Sequence, residues 1–223
     1  MTLPRDQVQA GLIDELDDFE KLVRSLDADQ WATPSRCAGW TVGDVAGHVI
    51  GSMADVVNGR LEGLGTPEVT EREVQERRGR TPEQLANECA EVRELGATLL
   101  SAFDDAAWEA PAPGGYPGTL GDGVEALWFD TYLHADDMRS ALGQATQRNP
   151  RSDAASISHI ATELTRRGWQ PATLAFDGLP EFTVSGGGGM RLTGDAFRFI
   201  LAATGRGNPA ALGLDDSVNL YAD

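Results

Sequence analysis

Residues 129–143, FDTYLHADDMRSALG, place an aspartate and a histidine four positions apart, Asp130 and His134, in a run whose apolar residues recur at helical spacing. Four residues is just over one helical turn, so the two side chains leave the same face. His134 is one of only three histidines in the chain. A carboxylate and an imidazole on one helical face are part of a metal site, and the remaining ligand must come from a neighbouring helix.

His48 is the candidate for that ligand. Upstream of it Thr41 offers an N-cap with Asp44 three residues on, which predicts a helix starting near Thr41. Val45, Val49, Met53 and Val56 form its apolar stripe, and His48 lies beside Val49, directed inward. Two imidazoles and one carboxylate leave open positions on a divalent ion, which is the pattern of a catalytic site; a structural zinc closes with four protein ligands.

Two further helices complete the pattern. Val8, Leu12, Leu16, Phe19, Val23 and Leu26 predict a helix over residues 6–27, and TPEQ at 81–84 opens another, with Leu85, Val92, Leu95, Leu99 and Phe103 as its buried face. The helix carrying Asp130 is expected from about Val124 to Leu142, and its inner face is unusually polar. Residues 28–40 and 62–80 read as polar connections. The loop APAPGGYPGTLGDG, 110–123, is long enough to wall a pocket. The reading over residues 1–149 is a mainly α domain, a four-helix bundle with ligands projecting inward.

After Asn149-Pro150 the texture changes, and residues 150–223 read as a small C-terminal α+β appendage. A helix is expected over 152–168, strands over 172–177 and 181–186, a helix over 194–203 and a final strand over 217–221. The four glycines 186–189 read as a flexible hairpin loop, since no G-x-G-x-x-G opens a helix there.

Composition narrows the partners. Thirty-five acidic against 18 basic residues give a formal charge of −17, which argues against nucleic acid or an anionic membrane as a partner bound by charge. No stretch reaches the roughly 18–20 apolar residues of a membrane span, and MTLPRDQVQAGLIDELDDFEKL has no signal-peptide core, so a cytoplasmic location is expected. The two cysteines, Cys37 and Cys89, are too few for a disulfide scaffold and read as thiols, Cys37 small and buried, Cys89 in the core.

Three runs together, WATPSRCAGWTVGDVAGH (31–48), FDTYLHADDMRSALG (129–143) and GDAFRFILAATGR (194–206), resemble the actinobacterial mycothiol-dependent maleylpyruvate isomerase family of the DinB-like superfamily. The resemblance spans nearly the whole chain. It implies a DinB-like four-helix bundle with a divalent metal, usually Zn2+, with Fe2+ or Ni2+ as alternatives, held by His48, Asp130 and His134. The family pattern has glutamate where this chain has Asp130, so the shorter carboxylate must approach from a closer backbone.

The resemblance implies mycothiol, or a similar low-molecular-weight thiol, as cosubstrate and a small-molecule electrophile as its target. The expected enzyme is therefore a thiol-dependent cis–trans isomerase or a thiol S-transferase, as monomer or homodimer. Metal coordination makes a thiol a thiolate near neutral pH, and the same ion can activate water, which leaves hydrolysis open. Two other readings stand beside it: a non-haem iron enzyme, because two histidines and a carboxylate are also that facial triad, and a non-catalytic metal-binding stress-response protein. Asp137, three residues after His134, is expected to orient that imidazole or to lie solvated. Arg139 reads as one half of a structural ion pair, Trp40 and Trp128 as packing that flanks the pocket, and His159 as outside the site.

Overall fold

The computed structural model describes residues 3–222, and within them the chain packs as two compact units. One is Arg5–Gln147; the other takes in Pro4 and the chain from Arg148 onward.

The first unit is helical: α1 Arg5–Arg24, α2 Ala28–Trp31, α3 Val42–Val57, α4 Pro67–Gln75, α5 Pro82–Ser101, α6 Asp105–Glu109 and α7 Leu120–Ala141. Helices α1, α3, α5 and α7 form the four-helix bundle, α1 and α3 each packing on both α5 and α7. The stripe Val8, Leu12, Leu16, Phe19 and Val23 of α1 is buried as the spacing requires, and so are Val45, Val49 and Met53 of α3. Each start has a chemical cause. Thr41, Thr81 and Thr119 close capping boxes with Asp44, Gln84 and Asp122, which satisfies amide groups that the first turn would leave unpaired.

The stretch 62–80 is not merely a connection: Thr66 caps and Pro67 opens α4, which packs on α3. The short α2 interrupts the loop 28–40, where Asp27 and Gln30 make a further capping box. Helix α7 begins at Leu120, four residues before the expected Val124, because the Thr119–Asp122 box starts it inside the glycine-rich loop. On α5 the buried face is Leu85, Ala86, Cys89, Val92, Gly96 and Leu100, while Leu95 is 54% exposed and Leu99 37%. The apolar count misplaced that face because its small residues, Ala86 and Gly96, do not register as a hydrophobic stripe.

The bundle depends on glycines where helices touch. A Cβ on Gly11 would lie 2.1 Å from the Trp128 ring, so α1 passes against the indole at that glycine. Trp128 is fully buried there, with its Nε1 3.4 Å from Glu15 Oε2. It is core packing against α1, as expected of a packing residue.

The second unit contains α8 Pro150–Arg166, β1 Ala172–Phe176, β2 Phe182–Val184, β3 Met190–Gly194 and α9 Ala196–Ala203. Its sheet has the order β2-β1-β3, with β1 antiparallel to β2 and parallel to β3. Helix α8 packs on α9 and β2. The strand β3 was not expected, since of its five residues only Leu192 is buried and glycines flank it. The glycine run therefore does not close a hairpin between neighbouring strands; it carries the chain from β2 past the end of β1 to β3. All four glycines have positive φ, and a Cβ on Gly189 would meet the Pro171 carbonyl at 2.3 Å. The expected strand at 217–221 is instead a 3-10 turn at Asp216–Val218, set by the Asp215 carboxylate accepting from the Ser217 amide.

Candidate metal centre

His48 on α3 and Asp130 and His134 on α7 meet inside the bundle. One donor atom from each lies within 4.8 Å of the others. Asp130 stands between the imidazoles, its Oδ2 3.5 Å from His48 Nε2 and its Oδ1 3.4 Å from His134 Nε2. The shorter aspartate thus reaches both rings. The imidazoles sit edge to face, centroids 5.0 Å apart at 90°, so both Nε2 atoms can converge without stacking. Trp40 tilts over His48 at 5.3 Å and forms an apolar wall.

The far nitrogen of each ring is fixed by a carboxylate. His48 Nδ1 donates to Glu73 Oε2 at 2.8 Å, and His134 Nδ1 donates to Asp137 Oδ2 at 2.7 Å. An ionised carboxylate only accepts, so these bonds place the proton on Nδ1 and leave Nε2 to face Asp130. Carboxylate, histidine and metal in series is the usual support for a ligating imidazole.

Glu73 is not among the residues expected at the site, because α4, which carries it, lies in a stretch expected to be a connection. The signal was the Thr66-Pro67 cap, a helix start followed by a run with no further Gly or Pro until Gly79. Its arrival is permitted by Gly47 and Gly51, one turn apart on α3. A Cβ at Gly51 would lie 2.6 Å from Glu73 Cβ, and one at Gly47 would lie 3.3 Å from Arg77 Cβ. These two glycines let α4 come close enough to insert a carboxylate that is only 1% exposed.

On the other side, the loop before α3 folds back on itself, with Ser35 N donating to the Trp40 carbonyl at 2.8 Å. That turn brings Arg36 and Cys37 to the end of α7. Arg36 Nη2 binds Asp136 Oδ2 at 2.6 Å and its Nε binds Asp137 Oδ1. Arg36 is the second residue that the sequence did not mark. Cys37 is half-buried, not fully buried as expected, and its thiol donates to Asp137 Oδ2 at 3.3 Å. Cys37, His134 and Asp137 form a second trio of possible metal donors. There, however, the donors already satisfy one another through Asp137 Oδ2, and the Arg36 guanidinium beside them opposes a cation, so the trio is a support for His134.

The electrostatics follow from this packing. Burial works against charge on His134, but the facing Asp130 carboxylate and Asp137 outweigh it and hold its pKa well above the usual histidine value. His48 is raised in the same way, burial being outweighed by Asp130 and Glu73. Burial alone would raise Asp130; the two imidazoles overcome it and hold the carboxyl far below the ordinary range. The Asp130 side chain is still 31% exposed, so the cluster opens to solvent on that side.

Of the other residues singled out, Cys89 is buried and its thiol is pushed up to about 12 by desolvation. Arg139 donates to Gln147 Oε1 at 2.8 Å, the hydrogen bond that stands in place of the expected ion pair. His159 lies on α8 and belongs to neither donor group.

A four-helix bundle holding a His–Asp–His cluster, with a small α+β unit following it in sequence, defines the class of protein. The chain belongs to the mycothiol maleylpyruvate isomerase family: residues 12–139 match the profile of the mycothiol maleylpyruvate isomerase N-terminal domain. The fold agrees. The chain superposes on the crystal structure of a mutant of the mycothiol-dependent maleylpyruvate isomerase with a TM-score of 0.65, at 15% identity, over 97% of this chain and 98% of that one. For another crystal structure of that isomerase the TM-score is 0.63 at 15% identity, over 93% and 92% of the two chains. In sequence it is 27% identical over 168 residues to an uncharacterized protein found in two Mycobacterium tuberculosis strains. That match takes in 68% of this chain and 62% of the length of those relatives. Among the described residues no helix is long and apolar enough to cross a membrane.

Proposed function

We propose that this chain is a cytoplasmic, divalent-metal-dependent enzyme, with Zn2+ as the best-suited ion, that activates mycothiol or a similar small thiol for attack on an electrophile. The residues fit such an ion. Two imidazole nitrogens and a carboxylate converge, and each imidazole is already oriented by a second carboxylate. That convergence, with both Nδ1 atoms satisfied from behind, is the observation that carries the reading. Membership of a family named for mycothiol supplies the thiol.

His48, Asp130 and His134 would hold the ion and leave its remaining positions to the open side beside Asp130. A divalent ion there supplies Lewis acidity that keeps a bound thiol ionised near neutral pH. The chain's own part is to prepare the ligands. Glu73 and Asp137 keep each Nδ1 protonated and each Nε2 turned inward, and Trp40 shields one face of His48 from water. Arg36 holds Asp137 in place and offsets the charge that Asp136 and Asp137 bring together. The product is an isomerised electrophile when the thiol leaves again, and a thioether when it stays.

Metal analysis of the purified chain, together with thiol consumption or isomerisation assayed over a panel of electrophiles, tests this. About one metal per chain and mycothiol-dependent turnover, both lost in His134→Ala with the fold retained, are expected. Protein that takes up no divalent metal overturns the proposal.

A further inference from the structure

Glu73 differs from Asp137 although both grip an imidazole. Asp137 is shared: His134, Cys37 and Arg36 all bond its carboxylate, and Arg36 balances its charge. Glu73 gives Oε2 to His48 Nδ1, while its Oε1 is buried with no hydrogen-bond partner. The neighbouring Arg77 does not neutralise it by contact. Its Nη1 donates to the Glu73 backbone carbonyl at 3.2 Å and its Nη2 to Glu88 Oε1 at 2.6 Å. A carboxylate oxygen kept from water without a partner costs stability. Here it is held in place by a helix approach that two glycines make possible.

We infer that Glu73 is the positioning residue that sets how strongly the His48 side binds the metal, because its carboxyl group is held on His48 Nδ1 alone and shared with no other side chain. The inference rests on the metal reading above. Glu73 touches no ion itself; it acts through His48 by fixing the ring and enriching Nε2. The His134 side is tuned more weakly, because Arg36 draws on the Asp137 charge.

The test is Zn2+ affinity, measured on chelator-stripped full-length protein by competition with a chromophoric chelator, alongside the melting temperature of the same stripped samples. The variants are Glu73→Gln, Glu73→Ala and His48→Ala. Glu73→Gln keeps the shape and an acceptor for Nδ1 but removes the charge. It is expected to weaken Zn2+ binding roughly 10- to 100-fold, with only a small change in the stripped melting temperature, because losing an unpartnered buried charge and losing the partner that favours the protonated His48 act in opposite directions. Glu73→Ala should bind as weakly or more weakly. Zn2+ affinity of Glu73→Gln within twofold of wild type overturns the inference, and so does a lowered melting temperature with unchanged affinity, which is the mark of a packing role alone. Equal Zn2+ affinity in wild type and His48→Ala overturns the metal reading, and the inference with it. Strong, His48-dependent binding that ignores Glu73→Gln overturns the inference only.

Discussion

Gly51 on α3 and Glu73 on α4 face each other so closely that a Cβ on the glycine would lie 2.6 Å from Glu73 Cβ. The absence of one methyl group there decides whether a carboxylate reaches His48. Gly51→Ala would gain about 1 kcal/mol of helix propensity and lose about 1–3 kcal/mol to overpacking. Because the clash falls on Cβ and not on a mobile side-chain end, the loss is expected to win by about 1 kcal/mol. Urea unfolding checks the stability, and Zn2+ affinity should fall with it as Glu73 is pushed from His48.

Gly11→Ala provides the contrast. Its Cβ would meet the buried Trp128 ring at 2.1 Å, a contact of α1 with α7 that involves neither His48, Asp130 nor His134. A loss of about 1–3 kcal/mol is expected, with Zn2+ affinity of the folded fraction unchanged. An affinity loss comparable to that of Gly51→Ala would show that the cluster responds to bundle strain in general.

Metal uptake should release protons. Both imidazoles hold their protons to higher pH than an ordinary histidine, so at a given pH more of them carry protons that a metal must displace. Apparent Zn2+ affinity is therefore expected to fall as pH falls from 8 to 6, more steeply than for a site of unshifted histidines. Isothermal titration in buffers of different ionisation enthalpy would count the protons.

Stability of the chelated protein follows from the same shifts. The raised histidines contribute stability that is complete below pH 6.5 and lost as pH rises through their folded values. Asp130, lowered, contributes stability present above its unfolded value of 3.8 and lost as pH falls further. Stripped protein is thus expected to be most stable between about pH 4 and 6.5 with respect to these groups. Added Zn2+ should move that optimum upward, since it favours the deprotonated rings. Melting curves across pH, with and without Zn2+, check both.

The two thiols should separate cleanly. Cys89 is buried with its pKa pushed up to about 12, and Cys37 is half-buried. An aromatic disulfide reagent at pH 8 is expected to find one reactive thiol per native chain and two after denaturation. Cys37→Ser should keep Zn2+ affinity within a few-fold, because the sulfur lies 3.9 Å from His134 Nδ1, on the far side of the ring from Nε2.

The helices of the bundle and the trio His48, Asp130 and His134 were legible without coordinates. Helical periodicity and capping chemistry act over four residues, and a D-x-x-x-H spacing needs only one turn to align its side chains. The sequence alone determined which side chains share a face, where α3 and α5 start, and that one helix carries an oddly polar interior. Tertiary structure alone decided what stands behind those side chains. Glu73 and Arg36 lie 25 residues from His48 and 101 residues from Asp137 respectively. They reach the site through an approach of α4 permitted by Gly47 and Gly51, and through a turn closed by Ser35 and Trp40. Such contacts leave no periodic trace, because a glycine reports what it lets near only when the neighbour is in place. The same holds for β3, which exists by pairing with β1 and not by any strong pattern of its own.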